Sequence, residues 1–143
     1  MSKFWKIAPR ITPIILLPPT LVFAMIVSRF LFNPVHAASA VGISFDSPLG
    51  VTIARVGFGA FPLACSLFTF SCLLSPRRLL TGFGFVSTVL GAALVVRVFG
   101  MLADGTTQQN MHLVVAEIVM LALMLTGVFV ELGKRRLQTQ TAA

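Results

Sequence analysis

Four apolar blocks fill most of this sequence, at about 11–33, 48–74, 76–103 and 111–132. Each is long enough to cross a bilayer, since a transmembrane helix needs roughly 20 predominantly apolar residues. Of the 143 residues 57% are hydrophobic and only 10% are charged. A soluble domain of this size has too little interior to hide that much apolar side chain from water. The expectation is an all-α membrane protein: a four-transmembrane-helix bundle forming one domain over 1–143, with a short tail at 134–143.

The net charge of +7 would suit a nucleic-acid binder if it formed one continuous patch, but its placement argues otherwise. Lys3, Lys6 and Arg10 precede the first block, Arg77 and Arg78 separate the second from the third, and Lys134, Arg135 and Arg136 follow the fourth. With Glu131 subtracted, these eight cations carry the whole surplus. Cations at alternate connections are the positive-inside signature, so both termini and the middle connection are expected in the cytoplasm. The expected partners are therefore membrane lipids, whose anionic headgroups such cations attract, and no nucleic acid.

Several elements can be placed. Pro13, Pro18 and Pro19 interrupt the first block and predict a kink or a late helix start. A start at Thr20 would leave too few residues to cross, which favours the kink. A cleaved leader is the rival reading, because Val35-His36-Ala37 resembles a small-residue cleavage site. Against it, the apolar stretch is long and Arg29 and Asn33 interrupt the approach. Residues 34–47 read as a loop with a short interfacial piece around 41–45. Ser47-Pro48 and Ser75-Pro76 read as a capping residue followed by a first-turn proline, opening the second and third helices. Asp104-Gly105 is a turn, Asn110 a cap for the fourth helix, and that helix is expected to end near Leu132 and Gly133. Glu131 would pair with Lys134 or Arg135 one turn on. Rows of small residues, Gly84, Thr88 and Ala92 with Ser87 and Gly91, and Ala60 and Ala64 near Gly57 and Gly59, predict close helix approach. They place the second and third helices at the centre, or at a homodimer contact.

The residues most open to function are the charged ones inside the blocks. An ionised group at the centre of a membrane helix costs about 2.5–3.5 kcal/mol on insertion scales. Arg55 lies seven residues after Pro48, Arg97 seven before Asp104, Glu117 seven after Asn110, and Arg29 five before Pro34. At 1.5 Å per residue these four sit roughly 7–11 Å inside the outer boundary. Arg55, Arg97 and Glu117 are thus expected to form one buried network, with Asp104 as a second carboxylate from above and Arg29 reaching the interface. Two roles follow: a pin that fixes helix register, or an outward-opening pocket for an anionic headgroup or small anion.

Other chemistry is thinly represented. Cys65 and Cys72 are roughly two turns apart on one face, too far for a disulfide, and read as packing residues. His36 and His112 stand alone at block ends, so no metal or haem site is expected. No nucleophile–base set, phosphate loop or carboxylate pair is present, so the chain reads as non-enzymatic, with no cofactor expected.

The stretches Ala54-Arg55-Val56-Gly57-Phe58-Gly59, Arg97 to Gly105 (RVFGMLADG) and Glu117 resemble a family of small bacterial inner-membrane proteins defined only as a domain of unknown function. The family pattern is an arginine near a glycine pair, an arginine leading into Asp-Gly, then a glutamate. An acid commonly precedes its first arginine and a tyrosine its glycines; this chain departs at both places, with Ile53 or Ala54 and with Phe58 or Val56. The resemblance covers about two thirds of the chain. It implies a four-helix fold in a bacterial inner membrane and supplies no activity. The reading that results is a binding or accessory protein, or else a structural subunit of a larger membrane complex. Transport of a small solute or proton is a third reading, and four short helices offer it little room.

Overall fold

A computed structural model describes residues 3–142, with side chains for 12–106, 108 and 110–140. The side chains of the orientation cations Lys3, Lys6 and Arg10 lie outside the described residues. The order is α1 (Lys3–Phe32), α2 (Pro34–Ser39), α3 (Pro48–Arg55), a π turn (Val56–Ala60), α4 (Phe61–Leu73), a 3-10 turn (Pro76–Arg78), α5 (Leu79–Asp104) and α6 (Thr107–Ala142). No strand occurs among the described residues. Four stretches are long and apolar enough to cross a membrane: Thr12–Phe32, Pro48–Leu73, Pro76–Asp104 and Asn110–Gln140. Large apolar side chains point outward along them, with Phe32 and Leu102 each 79% exposed. An apolar exterior of this extent is stable under lipid and a liability in water. This is the pattern of a multi-pass membrane protein.

The chain divides into two compact units, Met1–Leu16 with Cys72–Ala143, and Leu17–Ser71. In the first, α5 and α6 form an antiparallel hairpin. Asp104 ends α5, and Gly105 takes the left-handed conformation at φ 67°, where a side chain would be strained. Phe83, Val86 and Met124 are fully buried along the hairpin. A Cβ added at Gly127 would stand 2.6 Å from Phe83 Cδ1, so glycine there admits the ring. Gly82 does the same beside Leu16 Cδ2 (2.7 Å) and Cys72 Cβ (2.9 Å). Close approach in this unit therefore falls at Gly82 and Gly127, while Gly84 and Gly91 of the expected row meet nothing within 4 Å there. Phase explains the difference: the row lies on another face of α5 from Gly82 and Phe83.

Two boundaries differ from the sequence expectation. Helix α6 begins at Thr107, because the Asn110 amide donates to the Thr106 carbonyl (3.3 Å) and carries the first turn back past the expected cap. It then continues through Gly133 to Ala142 rather than stopping near Leu132. One interior glycine costs about 1 kcal/mol, and the Lys, Arg, Leu and Gln that follow it are good helix formers.

In the second unit, α3 opens as expected. The Gly50 amide donates to Ser47 Oγ (3.3 Å) and Pro48 occupies the first turn. At Ser75 the same pair of residue types opens only a 3-10 turn: the Ser75 side chain makes no cap bond, and the turn is closed by the Ser75 carbonyl, which accepts from the Arg78 amide (2.9 Å). The π turn before Pro62 has a local cause. Proline lacks the amide that would bond four residues back, and its ring crowds the carbonyl of Phe58. Widening one turn relieves both. Phe58, carried on that turn, stacks tilted against Phe30 with ring centroids 5.1 Å apart. Helix α1 stays helical through its prolines from Lys3, so the late start at Thr20 does not occur. The short helical piece between the first two long helices lies at Pro34–Ser39 rather than 41–45, and a first-turn proline starts it. Cys65 and Cys72 are both buried free thiols.

Candidate functional site

Arg97 and Glu117 face each other across the α5–α6 hairpin because they stand at equal distances from its turn. Seven residues separate Arg97 from Asp104 and seven separate Asn110 from Glu117, about 10 Å of helix on each side. The guanidinium engages the carboxylate through its Nε–Nη2 edge: Nη2 donates to Oε1 at 2.6 Å, and Nε donates to Oε2 at 3.0 Å and to Oε1 at 3.1 Å. Nη1 donates to Asn110 Oδ1 at 3.2 Å. Asn110 is itself oriented by its amide nitrogen, which donates to the Thr106 carbonyl and hydroxyl, each at 3.1 Å. All three nitrogens of Arg97 are thus engaged inside the hairpin. The two side chains are 28% and 16% exposed. Paired planar groups of this kind fix distance and angle as well as charge.

The other candidates divide as follows. Asp104 is exposed at the end of α5 and makes no ion pair among the described residues. The upper partner of Arg97, expected to be Asp104, is Asn110. Two turns along one helix hold Asp104 about 10 Å away, whereas Asn110 faces Arg97 from the neighbouring helix. Arg55 and Arg29 belong to the second unit. Arg55 is exposed at the end of α3 and lines a cavity of about 490 Å³ with Phe45, Asp46 and Thr52, without an ion pair to Asp46. Arg29 lines a smaller one of about 200 Å³ with Asn33 and His36. His36 and His112 are exposed, and the described residues hold no group of three or more metal-ligating side chains.

A second charge cluster lies at the far end of the hairpin. Glu131, 2% exposed, pairs with Lys134 one turn on, and Lys134 also donates to Thr12 Oγ1 at 3.4 Å. Arg135 Nη2 donates to the backbone carbonyl of Arg77 at 2.8 Å. Between them is a cavity of about 840 Å³. The sequence offers Lys134 or Arg135 to Glu131 by spacing, and the structure selects Lys134; nothing in the spacing hints at the burial of the pair or at Thr12. Asn110 was legible only as a cap, although its place seven residues before Glu117 puts it on the same helix face.

No family model matches this chain, and no curated protein or solved structure does so either. Its chemistry therefore rests on the geometry alone. The arrangement near the α5–α6 turn offers a closed, charge-neutral clasp; the arrangement at the opposite end leaves cationic groups around an open space.

Proposed function

We propose that the chain is a non-enzymatic accessory protein of a bacterial inner membrane, with both termini in the cytoplasm, whose clasped α5–α6 hairpin docks as a rigid element into a larger membrane assembly. The observation that carries this reading is the engagement of Arg97 by Glu117 and Asn110. An arginine offered to a ligand would keep its nitrogens clear of protein partners; each nitrogen of this one is engaged in holding two helices in register. The row Gly84, Thr88 and Gly91 on α5 is the surface for docking, since small residues let a neighbouring helix come close in lipid. The alternation of basic connections supports the orientation. The resemblance of Arg55, the Arg97-to-Gly105 stretch and Glu117 to the bacterial inner-membrane family supports the location.

Native mass spectrometry on gently extracted protein tests it. The expected result is a defined assembly with a second copy or another subunit, which Gly91→Leu disrupts while helix content is kept. A folded monomer under the same extraction sinks the docking reading. A periplasm-active reporter fused after Arg136 should be silent; activity there removes the even number of crossings.

A second reading is an anion site within the second unit, and the exposure of Arg55 and Arg29 beside cavities favours it. It predicts an anionic-lipid adduct that Arg55→Gln removes and Arg97→Gln does not.

A further inference from the structure

The structure assigns a phosphate site to the end of the hairpin opposite its turn: we propose that Arg77 and Arg135 hold the phosphate-bearing headgroup of an anionic membrane lipid. This does not rest on the docking reading, which concerns another face and the other end of the hairpin.

The cavity there, about 840 Å³, is lined by Arg77, Glu131, Lys134, Arg135, Gln138 and Thr139. Its volume is that of a whole small-molecule site. Among the described residues three cations and one carboxylate face it, and the carboxylate is already committed, because buried Glu131 pairs with Lys134. Two guanidiniums are left over, one following α4 in the 3-10 turn and one on α6. Arg135 gives one nitrogen to the carbonyl of Arg77, which ties the two elements together. Its other donors and the exposed Arg77 side chain remain for a ligand. Planar donor forks from two directions match a tetrahedral phosphate oxyanion, and guanidinium is less strongly hydrated than ammonium, which favours such pairing. Gln138 and Thr139 add neutral polar groups on the next turn, suited to the esterified part of a headgroup.

Depth selects the source of the phosphate. Arg135 stands 25 residues beyond Asn110, about 38 Å along the helix, whereas the hydrocarbon core is only about 30 Å thick. The cavity thus lies in the headgroup layer, where basic pockets between helices meet lipid phosphates. A free phosphate would have to compete there with lipid at far higher local concentration.

The test uses the full chain in detergent, titrated with phosphatidylglycerol or phosphatidylcholine and read by native mass spectrometry. Wild type should retain phosphatidylglycerol over phosphatidylcholine, and Arg77→Gln/Arg135→Gln should weaken that retention by about tenfold or more, as loss of charged hydrogen bonds implies. Arg78→Gln/Arg136→Gln removes the same charge from outside the cavity lining and should leave retention near wild type. Equal loss in that control would reduce the effect to general electrostatics and overturn the site. Retention of the lipid by Arg77→Gln/Arg135→Gln, or equal retention of both lipids by wild type, overturns it as well. Millimolar inorganic phosphate should not displace the lipid; displacement overturns the lipid assignment. Circular dichroism of each variant guards against loss of fold, and Arg77→Gln alone, which leaves the Arg135 tie intact, repeats the measurement if the double variant misfolds.

Discussion

The two ends of the α5–α6 hairpin use the same chemistry to opposite effect. Near the turn, one arginine meets one glutamate across two helices, and Asn110 engages the remaining nitrogen. At the far end, Glu131 finds its cation on its own helix three residues on, so Arg77 and Arg135 stay without an ion pair among the described residues. A pair made across helices fixes their register. A pair made within one helix leaves the partner helix free to present charge elsewhere. Position accounts for each arrangement: lone charge is costly about 10 Å inside an apolar helix, whereas in the headgroup layer proposed for the far end it is solvated.

That contrast can be broken experimentally. The largest effect is expected at the turn end. Glu117→Leu leaves Arg97 unpaired within the span and should lower stability by about 3 kcal/mol, read by denaturant unfolding in micelles. Arg97→Leu/Glu117→Leu should recover most of it, since two apolar residues can replace a pair that neither alone can lose. If the double variant is as unstable as Glu117→Leu, the clasp does more than cancel charge. Between the ends, Gly127→Leu overpacks the hairpin against Phe83 and should cost about 2 kcal/mol. At the far end, Glu131→Leu should cost only about 1–2 kcal/mol despite deeper burial, because Lys134 can swing its ammonium into the headgroup layer. A loss there exceeding that of Glu117→Leu would reverse the comparison. The smallest effect is Asn110→Ala, at about 1 kcal/mol for one charged hydrogen bond; no measurable change would make Asn110 a bystander.

The site residues were legible to different degrees. Arg97 and Glu117 announce themselves because charge inside an apolar block has few reasons to be there. Their equal distance from Asp104-Gly105 also suggests that they meet. That Asn110 rather than Asp104 completes the pair was hidden, because it depends on which faces of α5 and α6 are turned inward. The close approach at Gly82 and Gly127 was hidden for the same reason: every glycine in a row of small residues looks equivalent until a bulky neighbour such as Phe83 is placed.

By itself the sequence determined what one-dimensional physics controls. Four helices long and apolar enough to cross a membrane follow from the length of each apolar block, and the Ser47-Pro48 start and Gly105 stop follow from backbone chemistry confined to a few residues. The tertiary structure alone decided which polar groups are satisfied and which are left over, because that turns on rotation and register between helices. A shift of one residue turns a helix by about 100°, enough to move a side chain from its partner into lipid.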